Sequence, residues 1–203
     1  MIEKIVNHFE KGEIVIFPSE TFYGVGCVIS NEDSIKRLYS IRRTPANQPT
    51  LILAANFRQA LEYGVFDKPA KKLAEIFWPG PLTIVVKAKP LVPKIIQSAR
   101  GTVGIRIPSQ PPLIKIIEAI GEPILAPSAN FHGQLAPSNF SEIDRKLLSL
   151  VDYSLDPANL SDFLPMLKKP STLVDLSIKP YKIIRPGYIP EEKIKEALGG
   201  AWG

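Results

Sequence analysis

Glu13-Ile14-Val15-Ile16-Phe17-Pro18-Ser19-Glu20-Thr21-Phe22-Tyr23-Gly24-Val25-Gly26 sets an apolar run directly against a polar, hydroxyl-rich stretch. Glu13 to Phe17 has the length and β-branched content of a buried strand. Ser19, Glu20 and Thr21 follow with two hydroxyls and a carboxylate, and Tyr23, Gly24 and Gly26 close the stretch as a loop. A strand that ends in a polar loop is how an open α/β sheet presents a ligand site, at the carboxyl ends of its strands. Taken alone, the segment is equally an ordinary strand-to-turn junction.

Outward from this stretch, the chain alternates. Met1 to Phe9 reads as an amphipathic helix rather than a signal peptide, with Ile2, Ile5, Val6 and Phe9 on one face. Ser30 to Ile41 reads as a second helix, capped by Ser30 and Asp33. Thr50–Ala54, Thr83–Lys87, Thr102–Ile107, Pro123–Ala126, Leu173–Leu176 and Tyr181–Ile184 read as strands. Pro69–Trp78, Leu113–Ile120, Ser141–Leu150 and Glu191–Leu198 read as helices, with Gly121 stopping the second of these. The pattern predicts an α/β fold with a mixed, twisted sheet.

Composition narrows the function classes. The 203 residues suit one core, and 45% hydrophobic with 22% charged residues describes a globular protein. No apolar run approaches the ~18 residues of a membrane span, so no membrane partner is expected. One cysteine, Cys27, leaves no intramolecular disulfide and no cysteine-based zinc site, and predicts a reducing, cytoplasmic setting. His8 and His132 are the only histidines, so a Ser-His-Asp arrangement has little support. A net charge of +5 favours polyanionic partners such as ATP or RNA, although such an excess is also common on solvated surfaces.

Candidate site loops recur where strands end. Arg42-Arg43-Thr44-Pro45-Ala46-Asn47-Gln48-Pro49 is a basic loop clamped by prolines, and Pro79-Gly80-Pro81-Leu82-Thr83 is a rigid turn into a strand. Thr102 and Arg106, four apart, share one strand face. Pro127-Ser128-Ala129-Asn130, Ser171-Thr172 and Arg185-Pro186-Gly187 complete the set. Singly, each is also a common turn.

Together and in this order, the loops resemble the YrdC family of threonylcarbamoyl-AMP (L-threonylcarbamoyladenylate) synthases, in its single-domain form. The matching stretches are Pro18–Gly26, Arg42–Pro49, Pro79–Thr83, Thr102–Pro108, Pro127–Gly133, Ser171–Asp175 and Arg185–Gly187, so the likeness runs from 12 to 187. It implies one YrdC-like domain over 1–203, a twisted open mixed sheet with flanking helices and a concave basic face. Residues 188–203 would be a carboxy-terminal helix and tail. It also implies a nucleotidyltransferase that joins L-threonine, bicarbonate and ATP into threonylcarbamoyl-AMP and pyrophosphate, for threonylcarbamoyl-adenosine in tRNA. A downstream threonylcarbamoyl transferase complex would collect the product.

The same resemblance assigns residues. Thr21, Arg106, Ser128 and Ser171 would hold threonine. Thr44, Gln48, Thr102, Asn130, Ser138 and Arg185 would hold ATP, and Arg42 and Arg43 would neutralise phosphate charge. Mg2+ would be held mainly by the ATP phosphates, with no protein metal site. Three positions depart from the family pattern: Thr44 stands in place of an arginine, Leu53 of a histidine and His132 of a serine. Thr44 and Leu53 favour the alternative of a non-catalytic relative that binds double-stranded RNA or tRNA through its basic face.

Overall fold

The structure is a computed structural model that describes residues 2–45, 48–155, 162–199 and 202. Its elements follow as α1 (Ile2–Glu10), β1 (Val15–Pro18), β2 (Tyr23–Val28), α2 (Glu32–Arg42), β3 (Ile52–Leu53), α3 (Phe57–Tyr63), β4 (Gly64–Val65) and α4 (Lys68–Phe77). Then come β5 (Leu82–Ala88), β6 (Thr102–Arg106), α5 (Pro111–Ile120), β7 (Ile124–Leu125), α6 (Arg145–Leu148), β8 (Tyr153–Ser154), β9 (Thr172–Asp175), β10 (Lys182–Arg185) and α7 (Glu191–Leu198). Among the described residues, nine strands line up in the order β10-β9-β5-β6-β3-β7-β2-β1-β8, and β4 pairs with β5 off this path. Parallel pairs (β3 with β6, β5 with β9, β1 with β8) sit among antiparallel ones, so the sheet is mixed. No helix among the described residues is long and apolar enough to cross a membrane.

Both faces of the sheet are covered, which is why the strands read as continuous apolar runs. In and just before β1, Ile14 and Ile16 join a large core with residues of α2, α3, α4 and α7, whereas Val15 and Phe17 join a smaller core with Ile5 and Phe9 of α1 and Leu113, Ile116 and Ile117 of α5. The period of two sends alternate side chains to opposite layers.

The opening stretch differs from its sequence reading in one respect. Tyr23 to Val28 is not a glycine-closed loop but a strand, antiparallel to β1 with Pro18 opposite Tyr23. The loop is therefore the four-residue hairpin turn Ser19–Phe22, tied by Ser19 N–H donating to the Phe22 carbonyl at 3.1 Å. The glycines answer to packing. A Cβ on Gly26 would lie 2.0 Å from the Leu125 carbonyl oxygen of β7. Gly26→Ala therefore forces β2 away from β7 in the middle of the sheet. It is expected to cost about 3 kcal/mol or more and lower the melting temperature by roughly 10 °C in a thermal scan. A shift below about 2 °C would show that the strands separate freely at this point.

Smaller differences have similar local causes. The second helix starts two residues later than its sequence reading, because Asn31 caps it by accepting from Ser34 N–H, while Ser30 bonds to Glu122 instead. The helix read at 141–150 is a 3-10 turn at Phe140–Glu142 followed by the short α6. The strand read at 50–54 narrows to the two residues of β3, and α3, β4 and β8 are additions to the sequence reading.

Candidate active site

Where β1, β3 and β6 run out, the small core opens into a cleft of about 500 Å³ whose apolar wall includes Phe17, Leu51, Leu53 and Ala126. Leu53 and Arg106 are paired neighbours on adjacent parallel strands, so the guanidinium emerges beside this apolar wall. Arg106 is only 4% exposed; its Nη1 donates to Thr21 Oγ1 at 3.0 Å and lies 3.5 Å from Glu20 Oε1. The hairpin turn thus carries Thr21 and Glu20 to the side chain from β6. Ser19 Oγ stands 3.0 Å from Thr21 Oγ1 and donates to the Phe22 carbonyl, which fixes the turn.

The opposite wall comes from the β9–β10 end of the sheet. Arg185 Nη2 donates to the carbonyl and hydroxyl of Ser171 at 2.9 and 3.0 Å, and Ser171 Oγ lies 2.8 Å from Thr83 Oγ1. Gly187 makes this possible. A Cβ there would lie 2.4 Å from Thr172 N and 2.5 Å from the Pro170 carbonyl, so only glycine lets the 185–187 turn lie against residues 170–172. Desolvation, and then the charge of Arg106, lower the Arg185 pKa. Two guanidiniums facing one small space, with hydroxyls between them, make an anion site with bidentate capacity.

A second cleft, of about 860 Å³, continues from the first; Leu51 and Arg185 line both. Its polar lining comprises Gln48, Thr50, Ser98, Arg100, Thr102 and Arg185, against Pro49, Val85, Leu173 and Ile184. Thr102 Oγ1 is 2.6 Å from Ser98 Oγ, and Arg100 donates to the buried Asp175 at 2.6 Å. Burial pushes the Asp175 carboxyl up, but its bonds to Ser177 and Arg100 outweigh this and hold it below the ordinary range.

The structure therefore brings Thr21, Arg106, Ser128, Ser171 and Arg185 to one cleft, and Gln48, Thr102 and Arg185 to its neighbour. Arg42, Arg43, Thr44, Asn130 and Ser138 line neither. Arg42 is buried; its Nε donates to the carbonyls of Ser128 and Asn130, and Nη1 donates to Thr44 Oγ1. It holds the 128–130 turn in place, and burial pulls its pKa down to about 10. Arg43 ends α2 in the left-handed region and lies over the Phe131 ring, 4.6 Å from its centroid. Ser138 bonds to Glu142, and the Asn130 amide donates to the Phe131 and Gln134 carbonyls. Ala46 and Asn47 of the basic loop lie outside the described residues.

Several residues at the site carry no individual role in the sequence reading. Glu20 and Ser19 stand in plain view in the opening stretch as loop polar residues. Gln110, fully buried, exchanges two hydrogen bonds with Leu164, and Leu167 N–H donates to the Glu20 carbonyl at 2.7 Å. These bonds strap the segment leading to Pro170 and Ser171 against the hairpin turn. Neither residue carries a signal short of the fold itself. Cys27 is buried in the large core, and burial with help from Glu122 pushes its thiol up to about 12, so it offers no nucleophile.

Comparison with known proteins gives this geometry a context. The Sua5/yciO/yrdC family model, described as "Telomere recombination", matches residues 7–187. A Pyrococcus abyssi protein named threonylcarbamoyl-AMP synthase is 34% identical over 191 residues, 93% of this chain and 54% of its own length. A relative in Methanocaldococcus jannaschii is 33% identical over 194 residues, 96% of this chain and 89% of its own. The crystal structure of P. abyssi Sua5 complexed with L-threonine superposes with a TM-score of 0.90 at 32% identity, over 98% of this chain and 57% of that one. The chain thus spans little more than half of the Pyrococcus protein.

Proposed function

The chain belongs to the Sua5/YciO/YrdC family, and from that premise we propose that it is an enzyme, a threonylcarbamoyl-AMP synthase acting on L-threonine, bicarbonate and ATP. The observation that carries this reading is the pair of joined clefts, with Arg106 in the first and Arg185 at the joint. The relatives that bear this name, and the Sua5 structure with L-threonine, supply the substrate class.

In this reading the first cleft takes the amino acid. Arg106 pairs with its carboxylate, Thr21, Ser128 and Ser171 offer hydrogen bonds, and the wall of Leu51, Leu53 and Ala126 takes the methyl group. The second cleft takes ATP as its magnesium complex. The residues lining the two clefts include no carboxylate, so the ion would be held by phosphate oxygens. The amine of threonine takes up the carbon of bicarbonate with loss of water. An oxygen of the resulting carbamate then attacks the α-phosphorus, and pyrophosphate leaves. No protein nucleophile takes part; the chain contributes positioning and neutralisation of developing charge.

The product is a mixed anhydride that water destroys, which calls for a downstream threonylcarbamoyl transferase complex in the same compartment, the cytoplasm, with tRNA as final acceptor. Arg42 supports the 128–130 turn in this scheme, and its role toward phosphate passes to Arg185 and Arg100.

The test is pyrophosphate release from magnesium-ATP, with and without L-threonine and bicarbonate. Release that requires both is the expected result. No release from folded protein would overturn the reading, and salt-sensitive binding of double-stranded RNA in its place would establish the non-catalytic alternative.

A further inference from the structure

Glu20 is a buried carboxylate, 2% exposed, with neither oxygen hydrogen-bonded to any described group. Among the described residues its one charged partner is Arg106, 3.5 Å away, whose Nε is likewise unpartnered. The only hydrogen bond of that guanidinium to a described residue is the one to Thr21. An acid sealed from water this completely is expensive to keep unless its charge serves something. Glu20 is not among the residues that line the cleft, but its carboxylate lies 3.5 Å from the guanidinium of the arginine that is. Without touching a bound molecule, a carboxylate at that distance sets the electrical balance of the space beside Arg106. Arg185 adds a second positive charge to the same cleft, and the lining residues include no acid to oppose them.

We propose that Glu20 is a specificity-determining residue that tunes this cleft for a zwitterion. Two unopposed guanidiniums would favour any small carboxylate. With the Glu20 charge beside one of them, the cleft is less attractive to a plain anion and more hospitable to a ligand that carries an ammonium beside its carboxylate. A unit charge a few ångström away, at the effective dielectric of a protein site of about 20, is worth tenfold or more in such a preference. The inference rests on the amino-acid reading of the first cleft.

The experiment measures calorimetric affinities of the whole chain for L-threonine and for 2,3-dihydroxybutyrate, the analogue with hydroxyl in place of the amine. Wild type is expected to prefer L-threonine. Glu20→Gln, which keeps the shape and removes the charge, is expected to shift the ratio of the two affinities toward the hydroxy acid by about tenfold or more. Because a general loosening of the cleft weakens both ligands alike, the ratio isolates the charge. A ratio unchanged within about twofold in a folded Glu20→Gln variant overturns the role of Glu20 and leaves the amino-acid reading intact. A wild type that binds no L-threonine overturns the amino-acid reading itself. If Glu20→Gln does not fold, wild type and Glu20→Asp carry the test: preference for L-threonine in both supports the proposal, and parity of the two ligands in either overturns it.

Discussion

Truncating Arg106 is expected to remove nearly all of the proposed amino-acid-dependent pyrophosphate release. For Arg106→Ala, kcat/KM for L-threonine is expected to fall by about 10³ or more, because in the proposed reading the loss is a whole charge-assisted, two-point contact. The same truncation strands Glu20, the buried acid paired to that guanidinium, and stranding a buried charge typically costs about 3–5 kcal/mol of stability. Arg106→Lys separates the two effects. The ammonium keeps a positive charge for Glu20, so the protein is expected to fold, but it loses the planar fork that fits a carboxylate, so kcat/KM still drops by about 10². A thermal scan establishes folding, and titration with L-threonine reads the contact. Threonine affinity within about threefold of wild type in folded Arg106→Lys would remove Arg106 from the amino-acid pocket.

The sequence exposes a residue well when its signal is local. Val15 to Phe17 form a strand because apolar side chains alternate between two cores, and the β-branched apolar run shows that. Thr21, Arg106, Ser128, Ser171 and Arg185 stand in short ordered motifs at strand ends, where a ligand site in such a sheet is expected. The reading fails where a residue answers to something distant. Gly24 and Gly26 look like turn residues, and only the Leu125 carbonyl beside Gly26 shows why a strand needs glycine there. Arg42 reads as a phosphate-facing cation, and nothing local announces that its Nε also donates to the distant Ser128 and Asn130 carbonyls. The Gln110–Leu164, Arg100–Asp175 and Thr83–Ser171 contacts join residues 54, 75 and 88 positions apart, and no local pattern announces them. Leu53 is the instructive departure. It stands where the family has histidine, yet it is a fully buried wall of the first cleft, continuous with the small core. The change alters the chemistry of the wall without emptying it.

Arg185 is where the two clefts meet, and its replacement is expected to damage the chemical step more than either binding step. The side chain is clamped by three hydrogen bonds to Ser171, two to the carbonyl and one to the hydroxyl, so its guanidinium is held in place before any substrate arrives. A preorganised donor aimed at developing charge is typically worth about 10²–10³ in rate. Arg185→Ala should therefore lower kcat for pyrophosphate release by that factor. The KM for L-threonine should move less than kcat, because Arg106 remains with its Thr21 partner. Arg185→Lys restores the charge but cannot reproduce the three-bond clamp, so it should recover some of the loss and remain about tenfold below wild type. Steady-state kinetics on the three proteins decide the matter. A normal kcat with only the KM for ATP raised would make Arg185 a nucleotide-binding residue and nothing more. A fall in kcat at near-normal KM for both substrates places it at the point where carbamate and α-phosphate meet.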